Sequence, residues 1–166
     1  SNAQKYELTD ILNDKISFID EAGKSVCLKN YRSEKYPDLQ ITPDKYTTID
    51  LDNDGVNELV LYSSPDFGLY LVFNEYNGVI YSFEFTERDM IDLKQDGSFI
   101  QSSSAAINSY VVLEFDKNTY KIIEKAYRDD FSQIYRINGE ECGLKDINDY
   151  EAGFNNKSDM DFILLK

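Results

Sequence analysis

Short polar turns set between β-branched and aromatic runs constrain this chain more than any other feature. Leu69–Asn74 and Val79–Thr86 flank Tyr76-Asn77-Gly78. Asn-Gly between such runs specifies a tight hairpin, because both residues tolerate φ > 0. Ser109–Asp116 and Tyr120–Tyr127 repeat the pattern around Lys117-Asn118-Thr119, and Phe131–Ile137 runs into a second Asn-Gly at Asn138-Gly139. Earlier, Lys15–Asp20 and Ser25–Leu28 enclose the turn Glu21–Lys24. Tyr46–Ile49 and Glu58–Tyr62 enclose an acidic loop, and Asp161–Leu165 reads as a closing strand. Period-two runs separated by turn residues predict a mainly β fold. The expected form is antiparallel meander hairpins in a sandwich or propeller-like sheet, with an α+β arrangement as the alternative. The hairpin lengths are too irregular for a strict repeat.

Helical patterning is confined to the flanks. Leu8, Ile11 and Leu12 fall at i, i+3, i+4, one apolar stripe, and Leu144–Phe154 carries a second helical segment. Short N- and C-terminal helices are therefore expected. Thr86–Leu93 reads as a short helix or helical turn capped by Thr86 or Asp89. Asn30–Pro43 holds two of the three prolines and is expected to be irregular. Ser63–Gly68 reads as a loop, and Ser102–Ala106, small and polar, as a surface connection. With no Pro/Gly/Ser-rich linker, residues 4–166 are expected to form a single domain. Ser1-Asn2-Ala3 looks like the remnant of an expression tag and is set aside.

Composition narrows the chemistry. The 166 residues hold 17 Lys+Arg against 31 Asp+Glu, a formal charge of −14, and no histidine. Without histidine there is no Ser-His-Asp triad, no Cys-His dyad and no His-ligated zinc or haem. Such a charge repels phosphate backbones and anionic membranes and favours cations. No apolar stretch approaches the roughly 20 residues that a membrane-spanning helix needs. Cys27 and Cys142 read as two small buried hydrophobes, the alternative being one long-range disulfide. The 13 Tyr are densest in the strands, where cross-strand packing with the hydroxyl outward is expected.

The segment that carries chemistry is Asp50-Leu51-Asp52-Asn53-Asp54-Gly55-Val56-Asn57-Glu58. Carboxylates stand at positions 1, 3, 5 and 9, with glycine at position 6. Calcium takes several hard oxygen ligands around a tightly turned backbone. Asp50, Asp52, Asp54 and Glu58 supply side-chain oxygens, and Val56 supplies its backbone carbonyl. Gly55 permits the sharp turn. Position 12, where an EF-hand places a bidentate Glu, is Leu61, so Glu58 must close the site. One Ca²⁺ is expected, with a Kd of about 10⁻⁴–10⁻³ M. The alternative is a solvated acidic turn with no ion. Its clustered aspartates would repel one another.

Strands on both sides of this loop make it resemble the aspartate-rich calcium loops of FG-GAP, VCBS and integrin-type repeats. Those loops usually close with Asp where this chain has Glu58. A wider resemblance takes in Phe18–Lys24, Ile41–Tyr46, Ile49–Val60 and Ile137–Glu141. Together these are similar to uncharacterised secreted proteins or lipoproteins of Gram-positive, clostridia-like bacteria. That resemblance implies a place outside the cytoplasm, at the cell surface, with any signal peptide or lipid anchor trimmed away, and it implies no activity.

The expected function is a non-catalytic, calcium-stabilised extracellular or cell-surface module, monomeric, binding a protein, peptide or glycan. No nucleic acid partner is expected. The alternatives are a carboxylate-based hydrolase such as a glycosidase, and a structural or inhibitory domain of a longer precursor. Asp89, Asp92, Asp129 and Asp130 are acidic candidates for the hydrolase, but abundance is not pairing. Asp129-Asp130 reads instead as a solvated turn.

Overall fold

The computed structural model describes residues 6–64 and 68–166. Ser1-Asn2-Ala3 and residues 65–67 of the expected Ser63–Gly68 loop lie outside the described residues. In chain order the strands are β1 (Phe18–Ile19), β2 (Ser25–Val26), β3 (Pro43–Ile49), β4 (Glu58–Ser63), β5 (Leu69–Tyr76), β6 (Val79–Thr86), β7 (Phe99–Ser104), β8 (Ile107–Asp116), β9 (Thr119–Asp129), β10 (Ile134–Ile137), β11 (Glu140–Glu141) and β12 (Ile163–Leu164). Among the described residues one α-helix, α1, spans Leu144–Asn155, and 3-10 segments span Leu8–Asn13 and Leu28–Asn30. The fold is mainly β, as the hairpin pattern predicts. Among the described residues no helix is long and apolar enough to cross a membrane.

The chain divides into two compact units. The first comprises the chain up to Thr48, Asn57–Phe85 and Phe162–Lys166. It holds a seven-stranded sheet in the order β12-β3-β4-β5-β6-β1-β2. Asn77 (φ +50°) and Gly78 (φ +78°) turn β5 into β6 with the left-handed backbone that Asn-Gly favours. β4 and β5 are antiparallel, with Leu59 opposite Phe73 and Leu61 opposite Leu71. These four side chains are fully buried with Phe18, Tyr31 and Ile11. Burying each such side chain stabilises the fold by about 1.5–3 kcal/mol. On the opposite face Tyr62 stands across from Tyr70, ring centroids 4.8 Å apart, the cross-strand aromatic packing expected of the tyrosines. β1 joins the sheet parallel to β6, a departure from the antiparallel expectation.

The second unit comprises Ile49–Val56 and Thr86–Asp161. Its five-stranded sheet runs β11-β10-β9-β8-β7, and every pair is antiparallel. α1 lays Ile147 and Phe154 on Tyr110 and Ala126. Phe154 and Tyr150 meet the Tyr110 ring edge-on at 5.0 and 5.4 Å, an arrangement suited to the ring quadrupoles. The Gly143 N–H at the start of α1 donates to Asp146 Oδ2 (3.0 Å), satisfying a group that the helix itself cannot. Arg128 on β9 reaches Asn148 and Glu151 of α1 at 2.9 and 3.1 Å and pairs with Asp130. Burial and the neighbouring Glu151 push the Tyr110 phenol above its ordinary range.

Several expectations need correction. Of the two forms expected for Thr86–Leu93, a short helix or a helical turn, the structure has the turn, closed by Asp89 N–H to Thr86 C=O (3.0 Å). Asp89 Oδ2 accepts from the Thr86 N–H (3.1 Å) and hydroxyl (2.8 Å), but Ile91 then bridges to Ile100 and draws the chain into extended backbone. The serine-rich connection belongs largely to β7, where Gln101 and Ser102 pair with Ser109 and Asn108. The N-terminal helix is 3-10. Asp129 is not solvated: it is 7% exposed, and its Oδ1 accepts from the N–H groups of Phe131 (2.9 Å) and Ser132 (3.0 Å). Those backbone donors hold its carboxyl below the usual range. Cys27 and Cys142 are both free, half-buried thiols.

Candidate metal centre

β3 leads into the acidic loop and β4 leads out of it, as the spacing predicts. Within the loop the backbone folds back on its own carboxylates. Asp50 accepts from the N–H groups of Asp54 (3.1 Å, Oδ1) and Gly55 (2.8 Å, Oδ2). Asp52 Oδ1 also accepts from Asp54 N–H at 3.2 Å, and Asp54 Oδ1 accepts from Val56 N–H at 2.7 Å. Short acidic side chains form such Asx turns readily. Asn53 (φ +59°) and Gly55 (φ +89°) take left-handed backbone, which makes the curl possible.

Ligand oxygens of Asp50, Asp52 and Glu58 all lie within 4.8 Å of one another. That spacing lets one cation touch all three, since Ca²⁺–oxygen distances are about 2.3–2.6 Å. Asp50 and Asp52 are half-buried and Glu58 is 1% exposed. Of the five expected ligands, the structure gathers these three. Asp54 stands outside the group, on the exposed rim, bound to Val56 N–H. Val56 is 57% exposed at the loop exit. Partial burial and the charges of Asp54 and Asp50 push the Asp52 carboxyl above its ordinary value, and the N–H groups of Phe115 and Asp54 only partly offset this. A bound cation would reverse that balance. The donor set is all hard oxygen, which suits Ca²⁺ or another hard divalent ion.

A second acidic centre escaped the sequence reading. Glu84 on β6 is 2% exposed. Its Oε1 accepts from the Tyr31 hydroxyl and from Glu34 N–H (2.9 Å), and its Oε2 from Ser33 Oγ (3.1 Å) and Lys35 N–H (3.4 Å). The Glu84 N–H donates to Glu21 Oε1 at 3.3 Å. Burial raises both Glu21 and Tyr31, with the Glu84 charge adding to each. Both carboxylate oxygens of Glu84 are thus engaged by the chain's own donors, so this centre fastens the Tyr31–Lys35 segment to the sheet. An alternating strand containing a buried acid looks unremarkable in sequence, and the donors lie some fifty residues away. The hydroxyl of Ser82 is buried without a hydrogen-bond partner among the described residues, on the strand face that Glu84 shares.

No family model, curated protein or solved structure matches this chain.

Proposed function

We propose that the chain is a non-catalytic module that holds one Ca²⁺ in the Asp50–Glu58 loop, with the ion pinning β3 to β4. The observation that carries this reading is the convergence of the Asp50, Asp52 and Glu58 ligand oxygens within 4.8 Å. The raised Asp52 carboxyl supports it: burial and the charges of Asp54 and Asp50 raise it, and a cation would offset them. Asp54 and the Val56 carbonyl, on the rim of the same loop, would be the remaining protein ligands. The loop's resemblance to extracellular calcium repeats supports a place outside the cytoplasm, where millimolar calcium suits a weak site. There it binds a protein, peptide or glycan as its biological ligand.

Thermal melting in calcium against chelator tests the ion. A calcium-dependent rise in Tm that is absent from Asp52→Ala supports the site. An unchanged Tm at millimolar calcium overturns it.

A further inference from the structure

The loop is braced from outside by a turn with no sequence proximity to it. Lys94–Ser98 closes through Gly97 N–H to Lys94 C=O (3.0 Å) and Lys94 N–H to Ser98 C=O (2.8 Å). Gly97 takes φ +86°, and a Cβ there would sit 2.8 Å from the Leu51 carbonyl oxygen and 3.0 Å from that of Asp50. Real side chains do not approach backbone so closely, so only glycine lets the turn lie directly on the peptides of the first loop residues. Both contact partners are backbone, which cannot swing aside.

The turn is itself anchored. Asp96 Oδ1 accepts from Ser98 N–H (3.0 Å) and Ser98 Oγ (2.5 Å), and Lys157 Nζ lies 2.8 Å from Asp96 Oδ2. Burial alone would raise the Asp96 carboxyl, but the Lys157 ammonium and the Ser98 donors outweigh it and hold it below its usual value. Gln95 N–H donates to Ser158 C=O (2.9 Å), and Met160 N–H to Leu93 C=O (2.9 Å). The segment after α1 therefore grips the turn, and the turn backs the loop. Leu51, between two of the carboxylates, is fully buried, and Phe115 N–H approaches Asp52 Oδ2 at 3.5 Å.

We infer that Gly97 is a positioning residue for the cation loop: it sets the backbone of Asp50 and Leu51, and through it the angle at which Asp50 and Asp52 present their oxygens. This rests on the calcium reading above. Support around a metal site commonly governs affinity by about 10–100-fold.

The test is calcium titration of the whole chain followed by calorimetry, comparing wild type with Gly97→Ala, alongside melting of each in chelator and in calcium. The expected result is binding by wild type and a loss of about tenfold or more in Gly97→Ala. The calcium-induced rise in Tm shrinks accordingly. A merely structural role would lower Tm equally in both buffers and leave that rise intact, and this result overturns the inference. Equal affinity in the two proteins overturns it as well while sparing the calcium reading. No binding by wild type overturns the calcium reading and the brace with it. Should Gly97→Ala fail to fold, Asp96→Asn loosens the turn without adding atoms. A several-fold weaker affinity is expected of it, and unchanged affinity contradicts the brace.

Discussion

Two acidic centres in this molecule solve the same problem in opposite ways. Glu84 is one carboxylate facing four donors: a phenol, a serine hydroxyl and two backbone N–H groups. The Asp50–Glu58 loop is several carboxylates facing one another, with backbone N–H groups as the donors to Asp50 and Asp52. Dipoles suffice for a single buried charge, because hydrogen bonds to an ionised group are strong. They do not neutralise three charges within van der Waals reach of a common point. The difference separates a carboxylate that builds structure from carboxylates that could hold an ion.

Breaking the first centre has the larger effect and is independent of calcium. Glu84→Gln replaces two acceptor oxygens by one acceptor and one donor, leaving part of the cradle unsatisfied. A loss of about 2–3 kcal/mol is expected from urea unfolding, equal with and without calcium. Tyr31→Phe removes one charge-assisted bond and costs about 1.5–2 kcal/mol in the same assay. If either loss depended on calcium, the two centres would not be the separate devices described here.

The loop behaves differently. On the calcium proposal, wild type is expected to gain about 1.4 kcal/mol at calcium about tenfold above Kd, and Asp50→Asn to lose that gain. Asp52→Asn is expected to lose it too, but in chelator to raise Tm slightly, on the order of 1 °C, since solvent partly screens this half-buried group. The sign follows from linkage. A carboxyl raised in the folded state favours its protonated form there. Its contribution is therefore present at low pH and lost as pH rises through the raised value. Chelated wild type should lose stability across that window relative to Asp52→Asn, and calcium should abolish the difference. Melting curves between pH 4 and 7 compare them.

The hairpins were legible because their information is local. Asn77-Gly78 and Asn138-Gly139 carry the left-handed backbone that their turns require. The acidic loop was legible for the same reason, as its candidate ligands fall within nine residues. What the sequence hid depends on distant partners. Glu84 finds its donors in the Tyr31–Lys35 segment, and Gly97 finds its constraint at Leu51. β7 was missed because Ser102–Ser104 lack strand-forming side chains, and pairing with β8 overrides that weak propensity. Thr86–Leu93 shows the reverse, a capped start whose continuation is claimed by the bridge to Ile100.

Direct calcium uptake tests the central claim most simply. Equilibrium dialysis of the chain against millimolar calcium should find one ion bound per chain, and none in a variant carrying both Asp50→Asn and Asp52→Asn. Uptake by that variant equal to wild type, or no uptake by wild type, would contradict the account.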